Sequence, residues 1–413
     1  MKNMKNILKK WTESSLILKI VAGLVIGAVL GLLFPKASFF GIPGTLFIGA
    51  LKAIAPILVF LLVSSAIAQA VNGIGSRFRT VIILYLFSTF LAAICAVAVS
   101  RLFPVKIILS NIEAYGETPA PSGLKEIFEA LLGNMVQNPV KAIAEGNYLG
   151  ILFWAIVLGV ALKAINVPDT VKNISNLSDA VSRIVSWVIQ FAPFGVMGIM
   201  YTNISTNGLE IFVNYGQLIL MLVGTMAFVA LVINPAVVWF LLKKNPYPLI
   251  FRCLKESGVS AFFTRSSAAN IPVNMKLCEE LGLDKDFYSV SIPLGSTINM
   301  EGAAVTITVM SLAAANTLGL NIPLPLAIIL SIVSTLGAAG TSGVAGGSLL
   351  LIPMACSLMG IGNDIAMEVV AVGFIIGVIQ DSVETALNSS SDAVFTATAE
   401  FYDRAKAEKK GGK

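Results

Sequence analysis

Long runs of apolar residues occupy most of the first 242 positions of this chain. They lie at about 16–34, 46–71, 80–103, 148–166, 180–204 and 212–242. A helix of about 20 apolar residues spans the roughly 30 Å hydrocarbon core of a bilayer. Inside that core, every backbone polar group must find a partner within the protein, and a long apolar run meets this requirement by forming a helix. The runs therefore predict an all-α, multi-pass membrane protein with six conventional spans in this half.

The charged residues support that prediction and indicate an orientation. Only 12% of the residues are charged and 56% are hydrophobic, whereas about 25% of the residues in an ordinary soluble domain are charged. Arg77 and Arg79 follow the second run, Lys243 and Lys244 follow the sixth, and further bases end the chain. Because cytoplasmic loops are rich in Lys and Arg, both termini are expected to face the cytoplasm. The net charge of +5 then needs no nucleic-acid partner.

After residue 245 the apolar segments become short and interrupted. The segment 256–277 is broken at 264–270, and the segment 323–357 is broken by a glycine-rich stretch at 337–348. Each arm has about 10–14 residues, which is too short to cross a membrane. A single such segment fits a kinked helix equally well, but two with the same pattern favour re-entrant hairpins. Irregular backbone of this kind is tolerated where it lines a cavity or is buried in protein.

Each interrupted segment precedes a long apolar helix that carries a polar cluster, at 295–302 and at 381–392. Interrupted segments at matching positions of two inverted repeats are typical of transporter binding sites. At about 100° per residue, five polar residues of the second cluster fall within one sector about 100° wide. They are Asp381, Glu384, Thr385, Asn388 and Asp392.

The charge balance of this half predicts that cations enter it. The 118 residues between Lys285 and Arg404 contain nine acids and no Lys or Arg, and Arg265 is the one base expected at membrane depth. A carboxylate at the centre of a membrane costs at least about 2.5 kcal/mol, so metal ions, protons or a substrate ammonium are needed. The chain has no histidine, and oxygen ligands suit hard cations such as Na⁺. Discontinuous helices that offer carbonyls to Na⁺ fit a sodium-coupled amino-acid carrier.

Two other classes of membrane protein are alternatives to a carrier. An intramembrane aspartyl protease needs two carboxylates on one water, but Asp381 and Asp392 lie about 16 Å apart along one helix. A pure channel is the second alternative, although Arg265 and Asp381 together suit a zwitterion that is held in place.

Four motifs make the sequence resemble the dicarboxylate/amino acid:cation symporter family, and the resemblance covers nearly the whole chain. The motifs are Thr264-Arg265-Ser266-Ser267, the segment 293–302, the glycine-rich stretch 337–348, and Asp381…Asn388…Asp392. The resemblance implies eight transmembrane helices plus two opposed re-entrant hairpins, inverted repeats, elevator movement and a homotrimer. It implies a bacterial inner-membrane symporter, not an enzyme, with Na⁺ as coupling ion. Within the family it is strongest to members that import small neutral amino acids, L-serine and L-threonine.

The resemblance also implies a division of the chain. Helices of residues 1–245 would form mainly the scaffold and trimer contacts, with the third and sixth helices associating with the transport core. The transport core would cover 246–404, followed by a basic cytoplasmic tail at 405–413. Within the core the resemblance implies hairpin one at about 249–278, helix seven at about 287–315, hairpin two at about 322–357 and helix eight at about 366–403.

The site residues follow from the same resemblance, position by position. The implied substrate-binding residues are Arg265, Ser267, Thr341, Gly343, Asp381, Glu384, Thr385 and Asn388. Asp381 would hold the substrate ammonium, and Ser267 with the hairpin-two backbone would bind its carboxylate. The implied sodium ligands form three sets: Gly295, Asn299, Asn388 and Asp392; Thr297, Thr335 and Leu336; and Tyr85, Ser88, Thr89, Asn299 and Glu301.

Three positions depart from the family pattern. Members with acidic substrates have an arginine where this chain has Glu384 and a threonine where it has Ala303. A buried like charge repels a dicarboxylate, so a small neutral amino acid with a hydroxyl fits better. Glu384 would either contact the substrate or pair with Arg265. Glu301 is longer than the family's aspartate, which leaves the number of sodium ions open. Alanine or a dicarboxylate as substrate, and proton coupling, are the alternatives within the family.

Overall fold

A computed structural model describes residues 16–69, 76–109, 132–133, 135–165, 167–208, 211–339 and 346–411. All regular elements within these ranges are helical, as the apolar runs predict. Five helical segments are long and apolar enough to cross a membrane, namely Ser38–Gln69, Arg77–Leu102, Phe212–Leu242, Lys285–Thr317 and Asn363–Lys406, and one bent pair of helices makes a sixth candidate span. The chain is therefore an all-helical membrane protein.

The predicted apolar runs of the first half form helices near their expected positions. The helices are α1 Leu16–Leu33, α2 Ile42–Gln69, α3 Ser76–Leu102, α4 Pro139–Glu145, α5 Tyr148–Ile165, α6 Pro168–Gln190, α7 Ala192–Asn207, α8 Ile211–Phe228 and α9 Asn234–Leu242. A π-turn at Val229–Ile233 joins α8 to α9. The run predicted as one span at 180–204 falls on two helices, because α6 and α7 meet at an angle of 56°. Pro193 at the start of α7 lacks the N–H that a continuous helix needs there.

The second half consists of shorter helices and one very long one. They are α10 Tyr247–Cys253, α11 Val259–Thr264, α12 Ile271–Glu280, α13 Lys285–Ile298, α14 Glu301–Thr317, α15 Leu324–Ala338, α16 Ile352–Leu358 and α17 Asn363–Gly411. Helical arms flank both predicted interruptions, α11 and α12 around the first and α15 and α16 around the second. Residues 340–345, with the predicted ligands Thr341 and Gly343, lie outside the described residues.

The long apolar helix predicted after the first hairpin has a break in its middle. Asn299 (ψ 82°) and Met300 (ψ 54°) leave helical geometry and separate α13 from α14. Side chains of α17 compensate for the break, since the Gly302 N–H donates to Asn388 Oδ1 at 2.7 Å. The break thus places backbone of α13 and α14 directly against the polar part of α17.

The helices pack in two groups. One group surrounds α17, with α3, α8, α11, α13 and α14 in contact with it. The other contains α1, α2, α5, α6 and α7, in which α1 lies on α7, and α2 lies on α5, α6 and α7. Glycines allow the contact between α1 and α7: a Cβ added at Gly23 or Gly27 would lie 2.1–2.2 Å from the carbonyl oxygens of Pro193 and Met197. Small residues of this kind let membrane helices approach closely.

Ion pairs connect α3, the start of α13 and the end of α17. Arg77 lies 2.9 Å from Asp284 Oδ2 and 3.5 Å from Asp403. The hydrogen bond from Arg77 lowers the pKa of Asp284, which lies outside the apolar part of the helix. Both oxygens of the buried Glu400 carboxylate accept the Asp284 N–H, at 2.9 and 3.0 Å, and Arg404 also pairs with Glu400. These contacts hold α13 in register with α17 at one end of the site.

Candidate substrate and cation site

A buried ion pair joins the first interruption to the middle of α17. Arg265, which ends α11 in a left-handed conformation (φ 51°), places its Nε and terminal nitrogen 2.7 and 2.6 Å from Asp381 Oδ2. The two side chains are only 12% and 5% exposed. Of the two roles that the sequence left open for Glu384, pairing with Arg265 is not observed among the described residues, because the guanidinium lies on Asp381.

The other oxygen of Asp381 is weakly hydrogen-bonded within the described part of the chain. There, Asp381 Oδ1 accepts one long hydrogen bond, 3.4 Å from the Gly346 nitrogen of the second interruption. A small cavity touches Arg265, Gly346 and Asp381, and its remaining walls include the apolar side chains of Leu16, Ile189 and Phe374. A carboxylate oxygen has two acceptor sites. Asp381 Oδ1 can therefore accept a ligand's N–H while Oδ2 stays paired with Arg265.

Glu384 is held by neutral hydrogen-bond donors. Thr306 and Ser348 donate to its Oε2 at 2.7 and 2.9 Å, and the Gln380 amide donates to the same oxygen. The sequence analysis missed all three donors. Gln380 lies one helical turn before Glu384, a spacing that could have identified it. The network fixes a buried carboxylate beside Asp381 and ties it to α14 and to the second interruption.

The first predicted sodium set assembles around the break between α13 and α14. Asn299 Nδ2 donates to Asp392 Oδ1 at 2.9 Å, and Asn388 receives the Gly302 N–H as described above. Gly295 lies so close that a Cβ there would be 2.8 Å from Asp392 Oδ1. Two pairs of residues that are far apart in sequence, one on α13 and its end and one on α17, therefore meet at one place.

Asp392 carries the clearest indication of a missing positive charge. The residue is fully buried, and within the described part of the chain its Oδ2 has no hydrogen-bond partner. A buried carboxylate without a partner or counter-charge is strongly unfavourable. Carboxylate, amide and backbone oxygens around a helix break are the ligands that a hard cation prefers. The donor set fits Na⁺.

The third predicted set is partly brought together. The Tyr85 hydroxyl lies 2.8 Å from the Thr396 hydroxyl, and the Ser88 and Thr89 hydroxyls donate to the Tyr85 carbonyl. Ser88 also lies 3.4 Å from Asn299 Oδ1, which links α3 to the first set. The buried Glu301 carboxylate accepts a hydrogen bond from Asn234. Asn234 was not predicted from the sequence, although a polar residue in an apolar span was a usable signal.

Most hydroxyls of the remaining predicted site residues donate to carbonyls of their own helix. The Thr297 hydroxyl donates to Leu294 and the Thr335 hydroxyl to Ser331, each within its own helix. The Leu336 side chain is 41% exposed, and the expected ligand is its backbone carbonyl. The Thr385 hydroxyl donates to the Asp381 carbonyl, and Ser267 is buried inside the first interruption.

The close approach of α14 to α17 gives a first testable prediction. A Cβ at Gly302 would lie 2.8 Å from the backbone of Glu384, so Gly302→Ala is expected to push the helices apart. Overpacking of this kind costs typically 1–3 kcal/mol, and the melting temperature of the purified protein should fall. Gly224→Ala is the control, because a Cβ there meets nothing within 4 Å. An equal melting temperature for both variants would contradict the described packing.

Comparison with known proteins identifies the family. The family model described as "Sodium:dicarboxylate symporter family" matches residues 16–400. The protein "Serine/threonine transporter SstT" of Bifidobacterium adolescentis is 60% identical over 392 residues, which cover 95% of this chain and 91% of that protein. Proteins of the same name from Streptococcus agalactiae and Streptococcus thermophilus are 57% and 55% identical over 397 residues, covering 96% of this chain and 98% of each protein. The predicted family is confirmed, and the chain belongs to the sodium:dicarboxylate symporter family.

Proposed function

We propose that this protein imports L-serine and L-threonine across a bacterial inner membrane, coupled to Na⁺ that moves down its gradient. Membership in a symporter family makes it a transporter, not an enzyme. The names of its close relatives support serine and threonine as substrates. The observation that carries the proposal is the buried Arg265–Asp381 pair beside a cavity, in which Asp381 Oδ1 is left to accept a ligand.

The substrate is an amino-acid zwitterion in this proposal. Its ammonium binds Asp381 Oδ1, while Arg265 stays on Oδ2 and keeps the local charge balanced. Its carboxylate binds Ser267 and the hairpin-two backbone near Thr341 and Gly343, with Thr385 and Asn388 assisting. The burial of Arg265 and Asp381 supports this arrangement, because an ion pair shielded from water acts more strongly on a bound charge.

Glu384 accounts for the proposed selectivity. Three donors hold its carboxylate in place beside Asp381, so a second carboxylate on the substrate would meet a fixed like charge. A repulsive group of this kind discriminates as effectively as an attractive one. We expect serine and threonine to bind, and aspartate to compete poorly. A comparison of the affinities for serine and for alanine, which lacks the hydroxyl, tests whether the substrate hydroxyl contributes to binding, as a contact with Glu384 requires.

The sodium sites are proposed at the three sets of oxygen ligands. Gly295, Asn299, Asn388 and Asp392 form the first, and the partnerless Asp392 oxygen supports it. The carbonyls of Thr297, Thr335 and Leu336 form the second, and Tyr85, Ser88, Thr89, Asn299 and Glu301 the third. Sodium bound beside the two interruptions would order the substrate site, and the coupling is reciprocal: serine raises sodium affinity by the same factor.

The proposed architecture has eight transmembrane helices, two re-entrant hairpins with hairpin two as the gate, and a trimer of elevator-type protomers in contact with membrane lipid. Both termini face the cytoplasm. The two packing groups support a scaffold of 1–245 and a transport core of 246–404. The contacts of α3 and α8 with α17 support their association with the core. The substrate cavity is lined by residues of α1, α6 and α17. It therefore lies between the two packing groups, which would move past each other in an elevator mechanism.

Radiolabelled serine uptake into proteoliposomes tests the proposal. We expect uptake only with an inward Na⁺ gradient, increased by an inside-negative potential that supplies about 2.3 kcal/mol per charge per 100 mV. Unlabelled threonine should compete, and aspartate should not. A parallel set of vesicles with a proton gradient and no Na⁺ tests proton coupling. Serine uptake that persists without Na⁺ would refute the proposal.

A further inference from the structure

The side chain of Asn234 reaches from α9 to the Glu301 carboxylate at the start of α14. Asn234 follows the π-turn at Val229–Ile233, is 2% exposed, and donates from Nδ2 to Glu301 Oε2 at 2.8 Å. Single π-turns within α-helices occur frequently at functional sites. A polar side chain inside an otherwise apolar span is itself a functional indicator.

Three buried oxygen atoms in this region lack hydrogen-bond partners among the described residues. They are Asn234 Oδ1, Glu301 Oε1 and Asp392 Oδ2. Among the nearby donors, Asn299 Nδ2 bonds Asp392 Oδ1 and the Ser391 hydroxyl, while the Ser88 and Ser391 hydroxyls lie close to the Glu301 carboxylate. Neither Glu301 nor Asp392 forms a salt bridge among the described residues. Buried carboxylates without a charged partner are neutralised by a proton or by a bound cation.

We infer that Asn234 belongs to a sodium site, in which its N–H group fixes the Glu301 carboxylate and its Oδ1 is a ligand to the ion. This rests on the proposed sodium-coupled function and adds to it a residue of α9. The amide is planar, so the hydrogen bond from Nδ2 to Glu301 also sets the direction of Oδ1. Carboxylate and neutral amide oxygens together suit a hard cation. The ion would then bridge α9 to α14, and α3 and α17 would supply the neighbouring oxygens.

This role makes a separable prediction for sodium and for serine. Asn234 acts on the cation, whereas Arg265 and Asp381 act on the substrate. Loss of Asn234 should therefore raise the sodium concentration that half-saturates binding. Serine affinity at saturating sodium should stay close to that of the wild type, because the substrate contacts are unchanged. A purely structural role for Asn234 would lower both affinities together.

The experiment titrates sodium against labelled serine binding to the purified full-length protein. Asn234→Leu removes both amide atoms at similar volume, and Asn234→Ser keeps a polar group with less volume in case the first variant does not fold. We expect half-saturating sodium to rise at least about tenfold, equivalent to about 1.4 kcal/mol. Thr225→Val is the matched control on α8, because the buried Thr225 hydroxyl donates only to Met221 of its own helix. It should titrate like the wild type.

The outcomes separate this inference from the proposed function. If the wild type shows no sodium-dependent serine binding, the proposed function fails. If the wild type shows it and a folded Asn234 variant has half-saturating sodium within about twofold of the wild type, the inference alone is refuted. Equal losses of sodium and serine affinity would also refute it. Combining Asn234→Ser with Glu301→Gln should give less than the summed effect, because residues that act through one another are not additive.

Discussion

Serine binding is expected to fall at least about 100-fold when Asp381 is replaced with Asn. The substitution removes the acceptor for the substrate ammonium and leaves the buried Arg265 guanidinium without its partner. Truncating one member of a buried charge pair costs roughly 2–5 kcal/mol, and about 2.8 kcal/mol corresponds to a factor of 100. The measurement is equilibrium binding of labelled serine at saturating Na⁺.

Asp364→Asn is the matched control for this substitution. Asp364 lies on the same helix, α17, but is 86% exposed and pairs with Lys52 at the surface. Exposed ion pairs contribute about 0–1 kcal/mol, so this variant should bind serine like the wild type. Both proteins are first compared by size-exclusion chromatography to show that they are folded. Micromolar serine binding by Asp381→Asn would exclude Asp381 as the ammonium ligand.

Asp392→Asn is expected to have the second largest effect, and the property it lowers most is the affinity for sodium. Its buried carboxylate has one oxygen on Asn299 Nδ2 and one without a partner in the described chain. Removing the negative charge takes away the main electrostatic attraction for a cation. We expect half-saturating sodium to rise at least about 100-fold, with sodium-driven uptake lost at ordinary concentrations, in line with a loss of roughly 2–5 kcal/mol.

The readout for Asp392→Asn is the sodium dependence of serine binding, with Asp364→Asn again as control. Very high Na⁺ should partly restore serine binding, since the substrate contacts around Asp381 are intact. An unchanged sodium titration would show that Asp392 is not a sodium ligand. A loss of serine binding that no sodium concentration restores would instead indicate a structural role for the Asp392–Asn299 contact.

The last helix shows how much of the candidate site was predictable. Its helical spacing was enough to place Asp381, Glu384, Asn388 and Asp392 together, and all four are buried in the structure. What the spacing could not supply was the partner of each carboxylate. Arg265, which ends α11 with a left-handed backbone, pairs with Asp381 and not with Glu384 in the structure. A left-handed conformation at an arginine has no sequence signature, because glycine and, less often, Asn or Asp are the residues that usually adopt it.

Other parts of the site depended on contacts between distant segments. The break at Asn299 and Met300 has no proline or glycine within it, and it is compensated by Asn388 and Asp392 from α17. Thr306 and Ser348 around Glu384, and Asn234 beside Glu301, come from three different helical segments. Each is an unremarkable polar residue until the fold places it against a carboxylate.

The sequence by itself determined the class of protein and the helix that holds the site, because apolar length, charge distribution and helical spacing act locally along the chain. It also predicted that cations enter the second half, since its nine acids between Lys285 and Arg404 have no base among them. Only the tertiary structure decided that Asp381 is the carboxylate paired with Arg265 and that Asp392 Oδ2 has no hydrogen-bond partner among the described residues. It also placed Asn234 of α9 against Glu301 of α14. Those properties depend on distances between segments that are far apart in the chain, and burial makes each such contact decisive.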